Sequence, residues 1–263
     1  MRLALRLNPL ALIGRAFFGI LSTIGRLALF MAESVTHCVR PPFFPMLVAR
    51  QVIEIGYYSL PVVGLTGIFA GMVLALQSYT GFSRFAAESA IPNVVAISMT
   101  RELGPVFAGL MVAGRVGAAM AAEIGTMRVT EQIDALRTLS TNPFKYLVVP
   151  RLLAGLISLP ILVLVADIVG IMGGYLVAVY KLDFNADAYI NNTIDFLEPL
   201  DVGSGLVKAA VFGLLIALMG CYHGFHSKGG ARGVGTATTN AVVSGAILVL
   251  IFNYIITEAF FSR

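Results

Sequence analysis

The sequence predicts an all-α integral membrane protein, with one amphipathic N-terminal helix lying in the membrane interface and five helices crossing the membrane. Of its 263 residues, 58% are hydrophobic and only 12% are charged. Globular domains carry about 25% charged residues, so lipid-facing apolar surface must replace the missing charge. The apolar residues also form stretches longer than the ~20 residues that one crossing requires. These observations exclude a soluble enzyme, a disordered chain and a secreted disulfide scaffold.

Residues 1–40 are predicted to form the interfacial helix and a linker. Arginines interrupt the apolar sequence, and at most ten uncharged residues separate Arg15 from Arg26, too few to span a bilayer. At about 100° per residue, Arg15, Ser22, Arg26 and Glu33 project onto one narrow face of this helix. Such a stripe is typical of a helix lying in the interface plane. A signal peptide is the competing interpretation, but the two arginines interrupt its apolar core.

Five apolar stretches are the predicted crossings: 56–79, 93–122, 147–180, 205–225 and 236–257. Several exceed the ~20 residues needed for one crossing and contain prolines, which predicts tilted or broken helices. Glycines and alanines are frequent in the second, fourth and fifth stretches, where they allow helix backbones to approach closely. Nothing in the chain indicates a repeat or a second domain, so residues 1–263 are predicted to form a single transmembrane domain.

The distribution of positive charge predicts the orientation. With the N-terminus in the cytoplasm, twelve of the eighteen Lys and Arg residues lie on the cytoplasmic side, three lie outside and three fall within spans. Such an excess marks the cytoplasmic side and places the C-terminus outside. The largest external segment is then 181–201. Because the positive charges are dispersed between apolar stretches, they form no patch for nucleic acid.

The segment Arg101-Glu102-Leu103-Gly104-Pro105 carries two charges inside the second span. Arg101 lies about nine residues from the outer boundary, or ~14 Å, where a charge costs roughly 3 kcal/mol. Pro105 cannot donate to the carbonyl of Arg101, which weakens the helix there. These charges either line a substrate cavity or form a buried ion pair between helices.

Other charged residues in this span and its neighbours could be the partners of Arg101 and Glu102 if they form a buried ion pair. The candidate partners for a buried ion pair are Arg115, Glu123 and Asp167. Lys208 lies near the outer end of the fourth span, so its side chain is predicted to extend to the interface.

Neither catalytic nor metal chemistry is predicted. The glycine-rich turn 229–235 lacks the lysine pattern of a phosphate-binding loop. His223 and His226 have ligand-compatible spacing, but no third ligand accompanies them. Cys38 and Cys221 lie far apart without metal-ligand spacing. We therefore expect no catalytic residue, no metal site and no cofactor in this chain.

Residues 129–138, between the second and third spans, are predicted to form a short cytoplasmic helix. Thr130 is its expected N-cap, and Glu131 and Asp134 lie near its positive end. Ile133 and Leu136 are too apolar for a free cytoplasmic turn. The helix is therefore either a docking element for a cytoplasmic partner or a helix lying on lipid.

The hexapeptide Glu131-Gln132-Ile133-Asp134-Ala135-Leu136 resembles the Glu-Gln-x-Asp-Ala-Leu signature of the MlaE/YrbE family. Members of this family are the permease subunits of ABC transporters that move phospholipid between the membranes of Gram-negative bacteria. The resemblance covers nearly the whole chain, including its length, the predicted interfacial helix, the five spans and the Arg-Glu-Leu-Gly-Pro segment. It implies an MlaE-like permease fold in the bacterial inner membrane, with 181–201 as a periplasmic loop and a periplasmic C-terminus.

The resemblance also implies roles for residues and partners. The signature is a helix that couples the permease to its ATPase, which assigns that role to Glu131, Gln132, Asp134, Ala135 and Leu136. The implied partners are a second copy of this chain, a cytoplasmic ABC ATPase that binds ATP and magnesium, a STAS-domain subunit and a ring of periplasmic MCE-domain proteins.

The family's lipid pocket lies at the homodimer interface, which points to the second-span region. The predicted phospholipid-binding residues are Arg101, Glu102, Leu103, Leu74 and Tyr79. The alternative function is a secondary transporter driven by an ion gradient, with Arg101, Glu102 and Asp167 as its coupling set. Inverted repeats would support that alternative, but five spans do not divide into two equal halves.

Overall fold

A computed structural model describes residues 9–39, 41 and 44–262. Its regular structure throughout these residues is helical. The α-helices are α1 (Pro9–Val39), α2 (Pro45–Ile55), α3 (Leu60–Phe82), α4 (Ile91–Ser98), α5 (Gly104–Val112), α6 (Ala118–Val129), α7 (Gln132–Thr138), α8 (Val149–Leu182), α9 (Ala186–Phe196), α10 (Pro199–Phe225) and α11 (Gly230–Phe261). Three π-helical turns, Met99–Leu103, Ala113–Gly117 and Phe144–Val148, lengthen the second and third predicted spans.

The five predicted spans all appear as long helical segments, and each extends past its predicted bounds at one end or both. The second span runs continuously from α4 through α6, and α8 continues through Pro160 without a break. Because successive spans alternate in direction, α7 lies at one end of the bundle and α9 at the other. We call these the α7 end and the α9 end.

Helix α1 contacts the bundle through its C-terminal half. Phe30 packs against Phe144 and Tyr222 at the α7 end, with ring centroids 5.1 and 5.6 Å apart, and Ser34 is buried. The segment Phe17–Cys38 is one of six, among the described residues, that are long and apolar enough to cross a membrane. Its placement in the interface therefore stays a prediction. Arg2 and Arg6 lie outside the described residues, as does the side chain of Arg15.

Helices α3 and α8 pack with their backbones in contact. Gly67 and Gly71 of α3 face Ala166 and Gly170 of α8, and a side chain at any of these glycines would meet the opposite backbone or Met99. Small residues of this kind permit close association in lipid, where no hydrophobic effect drives helices together. This contact holds two neighbours of the second span, α3 and α8, at a fixed distance.

We expect Gly71→Ala to destabilise the protein by about 1 to 3 kcal/mol, the usual cost of overpacking. The added Cβ would collide with the carbonyl oxygen of Gly170. Thermal unfolding of the purified protein in micelles measures this effect. The matched control is Gly64→Ala, in the same helix, where nothing lies within 4 Å of the new atom. Equal stability of the two variants would contradict the close contact.

The predicted external segment 181–201 contains a helix, α9, that was not predicted from the sequence. The Asn185 side chain accepts a hydrogen bond from the backbone N–H of Ala188 and so caps its first turn. Tyr189 is buried against Tyr175, with ring centroids 5.7 Å apart. Burial raises the pKa of the Tyr189 hydroxyl to about 12, so it stays protonated at physiological pH. These contacts hold α9 against the bundle.

Candidate functional site

The second span changes its helical winding at the predicted site. Met99–Leu103 forms a π turn, and Gly104 donates its backbone N–H to the carbonyl of Met99. Pro105 has no N–H, so the carbonyl of Arg101 lacks its usual helical partner. Lys208 Nζ donates to that oxygen at 2.7 Å. The lysine therefore satisfies the acceptor that the proline leaves free.

Arg101 forms an ion pair with Asp201 at the start of α10. Its Nε donates to Asp201 Oδ1 at 2.6 Å, and its guanidinium carbon lies 4.1 Å from the ring centroid of Phe261. Asp201 is buried and also accepts the backbone N–H of Glu198, 3.1 Å away. The carboxylate is thus fixed by two elements, while 29% of the arginine side chain stays exposed.

Glu102 accepts hydrogen bonds from three side chains on two other helices. Lys208 Nζ and Thr257 Oγ1 donate to its Oε1 at 2.7 and 2.9 Å, and Asn253 Nδ2 donates to its Oε2 at 2.7 Å. The Lys208 side chain is fully buried, whereas 39% of the Glu102 side chain is exposed. Arg101 and Glu102 are therefore each paired with an opposite charge, yet both side chains stay partly exposed.

Two predictions about these charges were wrong. Lys208 does not extend to the interface, because Glu102 and the Arg101 carbonyl offer its ammonium group closer partners inside the bundle. The ion-pair partners are Asp201 and Lys208, and none of the three predicted candidates. Those three have other contacts: Arg115 bonds to Ser59 Oγ at 2.9 Å, Glu123 pairs with Arg151 at 2.7 Å, and Asp167 packs against Gly104.

An open cavity of about 510 Å³ lies beside these charges at the α9 end. Its wall includes four of the five predicted lipid-binding residues, Leu74, Arg101, Glu102 and Leu103, together with Thr257 and Phe261 of α11. The fifth, Tyr79, does not line it and packs instead on Phe184, with ring centroids 6.1 Å apart. The cavity thus combines partly exposed charges with an aliphatic and aromatic wall.

At the opposite end, α7 differs in detail from the predicted helix. It begins at Gln132, and its N-cap is Glu131 in a left-handed conformation with φ of 60°. Thr130 is not the cap, because its hydroxyl donates to the carbonyl of Thr126 in α6 at 2.8 Å. Ile133 is fully buried in the chain's own core, so it cannot take part in docking as an exposed aliphatic residue.

The residues of the signature differ in how far a partner could reach them. Glu131, Gln132 and Ala135 are exposed, and Leu136 is partly buried. Asp134 accepts two hydrogen bonds from Arg128, at 2.9 and 3.0 Å. Leu139, which was not among the predicted docking residues, is 73% exposed directly after the helix. The accessible surface of α7 therefore combines an acidic residue with a large apolar one.

The residues that bond to Arg101 and Glu102 were not predicted from the sequence, although a signal for them exists. Asp201 and Lys208 are seven residues apart, and Asn253 and Thr257 are four apart, so each pair lies on one helix face. Polar residues repeated at helical spacing within a span mark a face directed at other helices. This spacing identifies the polar face of each helix, but it does not show which helices pack against each other through those faces.

A helical bundle with a charged cavity at one end and an exposed short helix at the other has the organisation of a multi-pass membrane permease. The chain belongs to the Permease MlaE family, whose model matches residues 48–259. It is therefore a permease of the ABC transporter class.

The relatives agree with this assignment. A "Probable ABC transporter permease protein" of Rickettsia bellii (strain RML369-C) is 59% identical over 255 residues, covering 97% of this chain and 98% of the relative. The "Intermembrane phospholipid transport system permease protein MlaE" of Haemophilus influenzae is 36% identical over 221 residues, covering 83% and 84%. "Protein TRIGALACTOSYLDIACYLGLYCEROL 1, chloroplastic" of Arabidopsis thaliana is 38% identical, covering 81% of this chain and 61% of the relative.

Proposed function

We propose that this permease moves phospholipid, using the cavity at the α9 end as its substrate site. The proposal rests on one observation: the partly exposed Arg101 guanidinium and the apolar side chains of Leu74 and Leu103 line the same cavity. A phospholipid has the matching chemistry, because its phosphate accepts charge-assisted hydrogen bonds from arginine and its acyl chains require an apolar wall. The name of the Haemophilus influenzae relative supports the same substrate class.

The proposal includes a homodimer. The cavity is open on one side, and apolar side chains are exposed on the two helices that border it, among them Leu65, Phe69 and Val73 of α3 and Ile247, Leu250 and Tyr254 of α11. Pairing two chains across these faces would complete the cavity wall and cover the apolar surface. Two-fold pairing is the most common symmetry of protein oligomers.

The energy source in this proposal is a separate ABC ATPase that binds ATP and magnesium and docks on α7. Exposed Glu131, Ala135 and Leu139 give α7 the mixed surface that such a contact needs. The further proposed partners are a STAS-domain subunit beside the ATPase and a ring of MCE-domain proteins at the α9 end. We place the protein in the bacterial inner membrane, with the α7 end and the N-terminus in the cytoplasm.

A secondary transporter driven by an ion gradient is the weaker candidate. Its proposed coupling set would need Arg101 and Glu102 to change partners, yet Asp201 and Lys208 already hold them at 2.6 and 2.7 Å. Asp167 does lie one turn away, against Gly104, and its Oδ1 has no hydrogen-bond partner among the described residues. Relatives named as ABC transporter permeases favour the first proposal.

The test is phospholipid transfer by the permease and its ATPase, reconstituted in vesicles. We expect transfer to require ATP, and Arg101→Ala to reduce it about ten- to a hundredfold. That range corresponds to losing one charge-assisted hydrogen bond of about 1.5 to 3 kcal/mol. The assembled complex should survive with reduced stability, because buried Asp201 loses its cation but keeps its bond to the Glu198 backbone. Transfer is therefore compared at equal amounts of assembled complex.

The matched control is Arg84→Ala, which removes an exposed arginine near the same end of the bundle. Transfer driven by an ion gradient without ATP would favour the secondary transporter. Normal transfer by Arg101→Ala would remove the arginine from the substrate site. Loss of the assembled complex would mean that the Arg101–Asp201 pair serves only to join the helices.

A further inference from the structure

A second cavity, separate from the proposed substrate site, lies toward the α7 end. It has a volume of about 460 Å³ and is lined by α2, the π turns Ala113–Gly117 and Phe144–Val148, α6 and the start of α8. Its charged and aromatic wall residues are Arg50, Glu54, Arg115, Glu123, Tyr146 and Arg151. Leu47, Met120 and Met127 supply apolar wall beside them. None of these residues contributes to the cavity at the α9 end.

Arg115 is a charged side chain within the second span whose charge is not neutralised by the described part of the chain. Its Nη1 donates to Ser59 Oγ at 2.9 Å and to the Glu54 carbonyl at 3.2 Å, and its guanidinium carbon lies 5.8 Å from the ring centroid of Tyr58. These are neutral partners, and no carboxylate among the described residues lies within 4 Å. A cation inside a span normally pairs with an anion or lines a wet cavity, because isolation there costs roughly 3 kcal/mol.

The other charges around the cavity do not supply that anion. Arg151 and Glu123 neutralise each other at 2.7 Å. Arg50, on α2, is exposed and forms no ion pair or side-chain hydrogen bond with the described residues. Glu54 is exposed one helical turn away, with its carboxylate beyond 4 Å of both Arg50 and Arg115. The five charges leave a net charge of +1, concentrated on two guanidinium groups that face one space.

We propose that this cavity binds the phosphodiester of a membrane phospholipid headgroup, with Arg50 and Arg115 as its ligands. Guanidinium groups bind phosphate oxygens through paired N–H donors, and a phosphodiester carries the single negative charge that the wall lacks. Glu54 can receive an amine where the headgroup has one. The adjacent leucine and methionine side chains fit the start of an acyl chain, which favours a lipid over free phosphate.

The binding test uses the permease–ATPase complex without nucleotide, in vesicles of phosphatidylethanolamine and phosphatidylglycerol. A photo-crosslinking amino acid replaces Tyr146, which lines the cavity and is 39% exposed. We expect it to capture phospholipid, and Arg50→Gln to reduce capture severalfold. Because Arg50 has no partner among the described residues, this substitution should not disturb folding. Arg115→Lys, which keeps the charge, should retain more capture than Arg115→Gln.

Two controls distinguish phospholipid captured at this site from phospholipid bound elsewhere on the protein. Arg84→Gln removes an exposed arginine near the α9 end and should leave capture unchanged. Arg101→Ala should also leave it unchanged, even where transport is lost, so failure of the transport proposal and failure of this one are distinguishable. Undiminished capture in the Arg50→Gln, Arg115→Gln double variant would overturn the proposal. Retention of labelled inorganic phosphate in place of lipid would overturn it as well.

Discussion

Replacing Lys208 with methionine is expected to lower the free energy of unfolding by about 3 kcal/mol, the lower end of the cost of removing one partner from a buried ion pair. Methionine keeps the length of the side chain but cannot donate a hydrogen bond. The change leaves the Arg101 carbonyl without the donor that replaces the missing N–H of Pro105. The lower end applies because Glu102 is partly exposed and keeps its bonds from Asn253 and Thr257. Thermal unfolding in micelles is the measurement.

A matched control and a double variant make this prediction specific. Lys181→Met removes an exposed lysine at the end of α8 and should leave stability nearly unchanged. Adding Glu102→Gln to Lys208→Met should recover part of the loss, because it removes the carboxylate that the first substitution left unpaired. If Lys208→Met were as stable as the wild type, the ammonium group would have to reach water, as the sequence interpretation supposed.

The position of the charged site was predictable because the cost of charge in lipid is large and local. Arg101, Glu102 and Pro105 are adjacent in sequence, so their conflict with a regular transmembrane helix is visible without a structure. The partners were not predictable in the same way. Asp201 and Lys208 lie about a hundred residues further on, and their meeting with Arg101 and Glu102 depends on the rotation of α10 about its axis. Periodicity along one helix does not determine that rotation.

The short helices α7 and α9 were also only partly predictable from the sequence. The existence of a helix within 129–138 followed from its composition, but its cap did not. Thr130 lies close enough to α6 to bond to Thr126, and this local bond outcompetes capping of α7. Helix α9 was missed because only a short polar segment separates two apolar runs there. Its stability depends on burying Tyr189 against the bundle, which sequence spacing alone does not reveal.

The two cavities share a structural cause. Arg101 and Glu102 belong to one π turn of the second span, and Arg115 belongs to the next. A π turn inserts an extra residue into the helix and is frequent at functional sites. In this protein each such turn directs a charged side chain toward a cavity while the flanking α-helical segments keep apolar faces in the core. These two turns can therefore hold three charges while the second span still packs on α3, α8, α10 and α11.

The second large effect is expected from Glu131→Lys, which should detach the ATPase while the permease stays folded and inserted. Glu131 is exposed, and its side chain forms no ion pair or hydrogen bond with the described residues. The backbone of residue 131 is left-handed, with φ of 60°. Lysine and glutamate are equally strained in this conformation, so the substitution should not change the backbone. Reversing one charge at a docking surface should weaken association about tenfold or more, equivalent to at least ~1.4 kcal/mol.

The measurement is the amount of ATPase that copurifies with the tagged permease, together with ATP-dependent lipid transfer. Glu88→Lys reverses an exposed charge at the α9 end and should leave both unchanged. Asp134→Lys is a less specific test, because it also breaks the pair with Arg128 and could shift α7 itself. Asp134→Asn, which keeps a hydrogen-bond acceptor for Arg128, separates the two effects. If a normal amount of ATPase copurifies with Glu131→Lys, the proposal that the ATPase docks on α7 is contradicted. The result would be clear because the Glu131 side chain forms no ion pair or hydrogen bond with the described residues.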